Sequence, residues 1–540
     1  MKATVVCRVT LAALLPHVLV AWMCLAPDLV DATVIVGPCL QGVTTTNAYV
    51  TAECDSAAAL TVSYGTNLTY DGTASTAFTV STSVGSYVVH RIRLTGLTPN
   101  TLYNYQLSGQ GIAPTNYTFR TLANAGTSYR FGWDADYRNG TNVHGAIASR
   151  ILNLDKPVFL LEGGDTCADG SYGGWHNEFY IPNEKALQNQ IPVYPTTGNH
   201  ETWSALTRAY YQSPDSTGST GYYSFDCGDV HFIMGNYMDP GGFTPGSAQY
   251  KWIQQDVQSS RKPWKIFADH APAYCSSGDG PNTTWQTVSA NLLEPNGVKL
   301  FLAGHSHFYQ HNLVNGLHHV IVGGCGAPLH DPTTASYTLK SVKDNCYLIA
   351  DVTPTTLHMV IYNTNGTTLD TIDLNKLAAP TGLAGAPGYG RVTLTWNAVA
   401  GATSNTVWYG TAGGGPYPAQ QTVAGATATV TGLANGTSYY FAVTANDVNG
   451  PSAISTELSS TPINPPPVLT NYTLLGDGSF SLSGTGAVAQ TCILLGASNL
   501  TVPTAWEPIA TNSADAGGAF SLSDTQATNY PQRFYRIVAP

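Results

Sequence analysis

Side chains that bind metal ions are concentrated in the middle of this 540-residue chain. Twelve of its 14 histidines lie between His144 and His358. Five short segments in or beside this region combine carboxylate, amide or imidazole groups with small residues: Phe131-Gly-Trp-Asp-Ala-Asp136, Gly163-Gly-Asp165, Gly198-Asn-His-Glu201, Ala268-Asp-His270 and Gly304-His-Ser-His307. Neutral imidazoles and carboxylates suit Zn, Fe or Mn. Two such cations close together would neutralise a phosphate and lower the pKa of a bound water, which are the two things that hydrolysis of a phosphate ester needs.

Each segment taken alone also has a structural interpretation. Asp165, after two glycines, is typical of a turn residue or a helix N-cap. Asn199 and His200 suit a surface turn, and His270 suits a buried polar group with a satisfied hydrogen bond. The last segment differs, because a spacing of two places His305 and His307 on one face of an extended strand. All five segments in one region together favour a shared site.

The elements that must position these segments are short apolar runs alternating with helical stretches over residues 125–375. The runs are Tyr129–Trp133, Val158–Leu161, Val193–Thr196, His231–Met234, Trp264–Ala268 and Lys299–Ala303. Helices are predicted over Val143–Leu154 and Ser247–Arg261, the second with Tyr250, Ile253 and Val257 on one face. This alternation predicts a layered α/β domain. Ligands in such domains bind in loops beyond the carboxyl ends of the strands, where the five segments stand.

In order and type the five segments resemble the signature of calcineurin-like metallophosphoesterases, and the purple acid phosphatase branch is the most similar. The resemblance covers residues 33–375 and includes Pro38-Cys-Leu-Gln41 and the stretch Asn312–Leu329. It implies that two Fe, Zn or Mn ions share a bridging Asp165. Asp136 and His307 would complete the first metal site, and Asn199, His270 and His305 the second. His200 would face the substrate, stabilising the phosphoryl oxygens or protonating the leaving alcohol.

Two positions depart from that resemblance. The tyrosine expected three residues after the bridging aspartate is Ala168, and the histidine that other branches place two residues after the first aspartate is Arg138. The first site therefore lacks a protein ligand, which water, Asp134, Tyr137 or His144 could replace. The sequence also leaves Asp134 open as an alternative to Asp136, which is favoured. Arg138 is a candidate for binding the phosphate bidentately, with an exposed loop arginine as the alternative.

The flanking regions read as β-modules. Residues 33–122 are predicted to form an N-terminal fibronectin III-like domain, 123–377 the metallophosphoesterase domain, 378–462 a fibronectin type III domain, and 463–540 a C-terminal β-sandwich. The segments Leu94–Tyr103 and Gly432–Tyr440 both resemble the fibronectin corner in which a Tyr hydroxyl ties a strand to the preceding loop. The predicted fold is a four-layer α/β sandwich flanked by all-β fibronectin III/Ig-like sandwiches.

The first 32 residues have the features of an export signal. Lys2 and Arg8 precede an apolar run, and Val30 and Ala32 fit cleavage after Ala32; a membrane anchor is the alternative. We therefore predict a secreted protein, extracellular or periplasmic, with no later membrane span. Eight cysteines would remain, and a disulfide between Cys39 and Cys54, which flank one hairpin, is the pairing predicted.

The formal net charge of −11 argues against binding to nucleic acid or an anionic membrane. The predicted function is hydrolysis of small phosphomonoesters by a hydroxide activated at a dinuclear metal centre. One alternative is a phosphodiesterase using the same site. Another is a non-catalytic surface or adhesion protein with a degenerate phosphoesterase domain. The C-terminal modules are candidates for contact with polysaccharide or a cell surface.

Overall fold

The computed structural model describes residues 33–109, 112–214, 220–277, 280–447 and 450–539. The predicted export signal, residues 1–32, lies outside these ranges.

Seven strands form the N-terminal β-sandwich. They are β1 (Val34–Gln41), β2 (Ala48–Cys54), β3 (Thr61–Gly65), β4 (Gly72–Ser81), β5 (Val88–Leu94), β6 (Leu102–Ser108) and β7 (Asn116–Arg120). Along β6 buried residues alternate with more exposed ones, as expected for a strand with one face on a core. Val50, Ile92, Tyr105 and Phe119 are among the residues of that core.

The middle of the chain alternates strands with helices. Its strands are β8 (Tyr129–Asp134), β9 (Phe159–Glu162), β10 (Val193–Pro195), β11 (Tyr223–Cys227), β12 (Val230–Met234), β13 (Trp264–Asp269), β14 (Leu300–Ala303), β15 (Tyr309–Val314), β16 (Leu317–Val322), β17 (Thr338–Val342), β18 (Cys346–Val352), β19 (Thr356–Asn363) and β20 (Thr368–Asn375). Its helices are α1 (Thr141–Arg150), α2 (Tyr172–Gly174), α3 (Pro182–Gln188), α4 (Ala205–Tyr210), α5 (Ala248–Ser259) and α6 (Thr283–Val288). Short π-helical segments extend three of them: Ile151–Asp155, Trp175–Phe179 and Ser289–Leu293.

Both predicted helices are present, with ends set by local chemistry. Helix α5 begins after Ser247, whose side chain accepts a hydrogen bond from the Tyr250 N–H and so satisfies a free donor of the first turn. Ile253 and Val257 are buried on one face of α5, as their spacing predicts. Helix α1 and its π-helical extension cover the first predicted helix. Within the described ranges, no helix is long and apolar enough to cross a bilayer.

Three apolar cores define four layers. Two sheets face each other across a core that includes Phe131, Phe159 and Phe232. A second core, which includes Ile147 and Trp175, lies between the first sheet and the helices that cover it. A third core packs α5 and α6 on the outer face of the second sheet. This is the predicted four-layer α/β sandwich, in which each helix buries its apolar face against a sheet.

The first sheet continues from the α/β layers into the N-terminal sandwich. Its 13 strands have the order β20-β19-β18-β8-β9-β10-β1-β2-β5-β4-β3-β6-β7, and the second sheet has the order β11-β12-β13-β14-β16-β15-β17. Parallel pairing of β1 with β10, in which Gln41 lies opposite Val193, joins the two parts of the first sheet. The β1–β10 pair thus joins strands from either side of the predicted boundary at 122/123 in one sheet. The division of the chain into domains stays a prediction.

Two further β-sandwiches follow. Their strands are β21 (Ala384–Gly388), β22 (Arg391–Thr395), β23 (Ser404–Gly410), β24 (Ala419–Val423), β25 (Thr427–Thr431), β26 (Tyr439–Asp447), β27 (Gly450–Pro451), β28 (Leu458–Ser460), β29 (Val468–Leu474), β30 (Phe480–Thr485), β31 (Thr491–Ala497), β32 (Glu507–Ser513), β33 (Ala519–Asp524) and β34 (Phe534–Val538). A 3-10 turn, Ala527–Asn529, precedes the last strand. The first sandwich pairs the sheet β21-β22-β25 with the sheet β24-β23-β26-β27, the two-sheet arrangement expected of a fibronectin type III module. The second pairs β29-β30-β33 with β32-β31-β34.

Both predicted tyrosine corners are present. The Tyr103 hydroxyl accepts a hydrogen bond of 2.9 Å from the Thr98 N–H. The Tyr439 hydroxyl accepts one of 3.2 Å from the Ala434 N–H. In each case the hydroxyl satisfies a backbone donor of the loop that precedes its strand, which is the contact expected at this corner.

The predicted disulfide between Cys39 and Cys54 is wrong. All eight cysteines of the described ranges are free and buried. In the β1–β2 pair, Cys39 lies opposite Thr51 and Cys54 opposite Val34. Cys39 packs into the core beneath the helices, whereas Cys54 packs inside the N-terminal sandwich. The two thiols therefore point to opposite faces of the sheet, which the hairpin spacing alone did not reveal.

Candidate metal centre

The five predicted segments meet at one edge of the two facing sheets. Strands β8, β9 and β10 are parallel neighbours, as are β12, β13 and β14 in the other sheet. The carboxyl ends of parallel strands lie at the same edge, so the loops after them converge. Each predicted segment is one of these loops, which explains how residues up to 171 positions apart in sequence, such as Asp136 and His307, become neighbours.

One group of ligand atoms, here called the second position, consists of Asp165, Asn199, His270 and His305. The His270 Nε2 atom lies 3.1 Å from Asn199 Oδ1, 3.1 Å from His305 Nδ1 and 3.4 Å from Asp165 Oδ1. His270 Nδ1 donates to the Gly163 carbonyl oxygen at 2.8 Å, so the Nε2 of a neutral ring carries a lone pair. The Asn199 and Asp165 oxygens thus lie within 3.4 Å of an acceptor nitrogen. Acceptor atoms at such distances repel one another unless a cation lies between them, and the donor set fits a metal ion.

The other group, here called the first position, consists of Asp136, Asp165 and His307. Each residue contributes one ligand atom, and these atoms lie within 4.8 Å of one another. His307 Nε2 is 3.6 Å from Asp136 Oδ1. Asp136 Oδ1 is buried and has no hydrogen-bond partner among the described residues, as expected of an atom that faces a cation. Asp136 rather than Asp134 belongs to this group, since the Asp134 carboxylate accepts from the Tyr137 hydroxyl instead.

The backbone holds these side chains in an unusual conformation. Asp136, Asp165 and His305 have φ values of 65°, 55° and 68°, in the left-handed region that side chains other than glycine seldom adopt. Such residues cluster at functional sites, where surrounding contacts compensate for the strain. A Cβ atom on Gly198 would lie 2.2 Å from Asp165 N and Oδ1, so only glycine allows the loops after β9 and β10 to approach so closely.

A family model for calcineurin-like phosphoesterases matches residues 142–309. The chain carries a calcineurin-like phosphoesterase domain. Strand β8 and Asp136 lie just before the matched range, and the second position and His307 lie within it.

The chain is also similar to purple acid phosphatases in sequence and in fold. The chain is 28% identical over 253 residues to purple acid phosphatase 21 of Arabidopsis thaliana, covering 41% of this chain and 53% of the relative. It is 26% identical over 289 residues to purple acid phosphatase 15 of the same plant, covering 45% and 52%. The chain therefore spans about half the length of these relatives. A purple acid phosphatase from yellow lupin (Lupinus luteus) seeds aligns with a TM-score of 0.54 at 18% identity over 63% of this chain and 74% of that one, a likeness of fold.

Glu201 joins two loops of the phosphoesterase domain, a function that sequence reasoning did not foresee. Its carboxylate accepts from the N–H groups of Gly198, Asp165 and Thr166 at 2.5–3.3 Å. Burial, together with repulsion from Asp165, raises the pKa of Glu201 from 4.5 to about 8. The only signal in the sequence was its place as the last residue of the Gly198–Glu201 segment. Glu201 fixes the loop that carries Asp165 relative to the loop that carries Asn199 and His200.

His200 lies at the mouth of the site. Its backbone N–H donates to Asp165 Oδ1 at 3.0 Å, and its Nδ1 lies 2.5 Å from the Ala168 carbonyl oxygen. The second ring nitrogen, Nε2, is 3.7 Å from Asp165 Oδ2, and 27% of the side chain is exposed. Ala168 stands where the resemblance implies a tyrosine. Its side chain cannot bind a metal, but its carbonyl oxygen orients the imidazole of His200.

Arg138 fills the space beside the first position. Its Nε atom lies 3.6 Å from Asp165 Oδ2, and its Nη2 atom lies 3.5 Å from His307 Nε2. The three side chains that the sequence offered as the missing ligand of the first position have other partners. The Tyr137 hydroxyl donates a hydrogen bond to Asp134, and His144 Nε2 lies 3.0 Å from Glu184 Oε2. Within the described residues, the guanidinium is the group that stands where a further ligand was expected.

Electrostatics set the ionisation of the donors. Burial first, and then repulsion from Asp165, raises the pKa of Asp136 well above its usual range. Burial acts the same way on Asp165, but His270 and the His200 N–H outweigh it and lower the pKa of that carboxyl. Burial lowers the pKa of His307 to about 4, so its ring is neutral at ordinary pH. Asp165 is thus the anion at the centre of the group.

Two aromatic neighbours escaped prediction. The Tyr237 ring lies with its centroid 6.2 Å from that of His270 and 6.1 Å from that of His305. The His330 ring packs 4.0 Å from that of His307. Tyr237 follows strand β12 closely, so its place beyond a strand end was a usable signal. His330 lies in a long connection between β16 and β17, where no pattern pointed to the site.

Proposed function

We propose that this protein is a metal-dependent phosphatase that hydrolyses phosphomonoesters. The observation that carries the proposal is the second position, where Asp165, Asn199 and His270 direct acceptor atoms at a common point beside His305. Acceptor atoms this close together repel one another, and a cation held between them removes that repulsion, which is why the group favours a metal site. The homology to purple acid phosphatases supports a phosphatase.

Metal ions held by these residues would neutralise phosphoryl oxygens and lower the pKa of a water molecule. Imidazole, carboxylate and amide donors suit Fe, Zn or Mn. Asp165, Asn199, His270 and His305 would hold one ion, and the first position offers the dinuclear arrangement predicted from the sequence. Arg138 lies beside the first position, with its Nε 3.6 Å from Asp165 Oδ2.

The chain's own contribution to the reaction centres on His200. The Ala168 carbonyl oxygen accepts from Nδ1 and leaves Nε2 as the reactive nitrogen. Nε2 lies within 3.7 Å of Asp165 Oδ2 on a partly exposed side chain, so it is open to an incoming phosphate group. A proton on Nε2 would be donated to a phosphoryl oxygen or to the departing alcohol oxygen. Asp165 would stabilise the protonated ring.

The test compares turnover of p-nitrophenyl phosphate and bis(p-nitrophenyl) phosphate by the purified protein, after chelation and after adding Zn, Mn or Fe. We expect metal-restored hydrolysis that is faster on the monoester, and at least about 100-fold loss in His270→Ala. The His358→Ala variant, at an exposed histidine outside the site, is the matched control. Faster turnover of the diester would favour a phosphodiesterase. No turnover with any metal would refute the proposal and favour an adhesion protein.

We also propose that the protein acts outside the cytoplasm and that its C-terminal modules contact polysaccharide or a cell surface. The composition of residues 1–32 supports export. Strand β29 supports the second proposal, since Val468, Tyr472 and Leu474 are all more than half exposed on it. N-terminal sequencing of the exported protein should begin at Thr33. Less of the Tyr472→Ala variant than of the natural protein should sediment with insoluble polysaccharides. Equal sedimentation of the variant and the natural protein would contradict binding of polysaccharide by strand β29.

A further inference from the structure

Arg138 and a metal ion need the same atoms of the first position. The guanidinium lies 3.6 Å from Asp165 Oδ2 through Nε and 3.5 Å from His307 Nε2 through Nη2. His307 Nδ1 is committed to the Pro328 carbonyl oxygen at 2.8 Å. The neutral ring therefore offers a single lone pair, on Nε2, and that lone pair faces Arg138.

The two positions also differ in donors and in charge. The second position has four protein donors, on the Oδ1 side of Asp165. The first position has three, one of them from Asp165, together with the fixed positive charge of Arg138, whose Nε lies 3.6 Å from Asp165 Oδ2. A guanidinium carries a full positive charge, so it repels a divalent ion placed next to it. Of the side chain's surface, 19% is exposed, so solvent screens this repulsion only in part.

Building on the metal dependence proposed above, we infer that Arg138 replaces the first metal ion. The centre holds one tightly bound ion in the second position, and the guanidinium provides the second positive charge beside it. A guanidinium can bind phosphoryl oxygens but cannot lower the pKa of a water by coordination. Asp136 Oδ1 remains an acceptor without a hydrogen-bond partner among the described residues, so a second ion can still bind there. The neighbouring guanidinium makes that binding weak, with an affinity about 100-fold lower.

The first experiment measures metal content after desalting, by elemental analysis of protein loaded with Mn²⁺. We expect about one ion per chain in the natural protein and in Arg138→Lys, which keeps the charge. Arg138→His should hold about two, because it removes the charge and adds an imidazole at the position where a ligand is missing. Arg138→Gln, which removes only the charge, separates the two effects and should bind its second ion with intermediate affinity.

The second experiment identifies which position is filled. His305→Ala should lose the tight ion, whereas His307→Ala should retain it. Electron paramagnetic resonance supplies a readout independent of turnover, since one isolated Mn²⁺ gives a resolved six-line spectrum and a coupled pair does not. Circular dichroism and melting temperature show whether each variant is folded before its metal content is interpreted.

Two tight ions in the natural protein, or loss of the tight ion in His307→Ala, would overturn the inference while leaving the phosphatase proposal intact. One tight ion in the second position without turnover of any phosphate ester would refute the phosphatase proposal and leave the inference about Arg138 intact. The two proposals therefore fail on different measurements.

Discussion

His231 is a buried link between the second sheet and helix α5, and we expect it to make the stability of the protein depend on pH. Its Nδ1 lies 2.7 Å from Asp226 Oδ1 on β11, and its Nε2 lies 2.8 Å from Asp256 Oδ2 on α5. Burial acts to lower the pKa of His231, but hydrogen bonds and charges of the two carboxylates outweigh it and raise the pKa from 6.5 to about 9. The protonated ring is thus the form that the folded state prefers.

The sign follows from the raised pKa. A group that binds its proton more tightly when folded stabilises the protein fully below pH 6.5, and the contribution disappears as pH rises through about 9. At about 1.36 kcal/mol for each pH unit, the rise corresponds to about 3 kcal/mol. Half of the Asp226 side chain is exposed, so solvent screening reduces the expected contribution to about 2 kcal/mol.

The assay is calorimetry of His231→Gln and the natural protein from pH 6 to pH 10. Substitution should cost about 2 kcal/mol more at pH 6 than at pH 10, which for a domain of this size is roughly 4–8 °C in melting temperature. His358→Gln is the matched control. Its partner Asp373 lies 2.7 Å away, but the side chains are 41% and 54% exposed, so the change should be small at every pH. A loss in His231→Gln that does not vary with pH would refute the reasoning.

Three further predictions concern the site. His200→Ala should lower kcat on p-nitrophenyl phosphate by about 10²–10⁴-fold while metal content stays unchanged, and loss of metal would show a structural role instead. Gly198→Ala places a Cβ 2.2 Å from Asp165 and should abolish tight metal binding in elemental analysis, whereas Gly425→Ala, with open space around it, should not. Chelation should lower the melting temperature of the phosphoesterase domain, since a metal at 100 times its Kd stabilises by about 2.7 kcal/mol; an unchanged temperature would contradict a bound metal.

Patterns within short stretches of sequence predicted much of this protein. The spacing of Tyr250, Ile253 and Val257 identified α5, and the two corner segments identified the tyrosines that cap their loops. Local patterns work here because neighbouring residues in the chain share one helix face or one turn, whatever surrounds them. The same reasoning placed the candidate ligands at strand ends, where a parallel sheet collects its loops.

The register and facing of residues distant in sequence could not be predicted in this way. Cys39 and Cys54 looked like a pair, yet the register of β1 on β2 directs them into different cores. The sequence favoured Asp136 over Asp134 but could not show their contacts: Asp136 Oδ1 lies 3.6 Å from His307 Nε2, whereas the Asp134 carboxylate accepts from the Tyr137 hydroxyl.

By itself, the sequence determined which residues could bind metal and that they would lie in loops at strand ends, because residue type and periodicity are properties of the chain. Only the tertiary structure decided that Glu201 ties two of those loops together and that Arg138 points at the first position. The physical reason is that hydrogen bonds and ion pairs depend on distances of a few ångströms. Those distances between Arg138, Asp165 and His307 are set by the packing of two sheets and not by spacing along the chain.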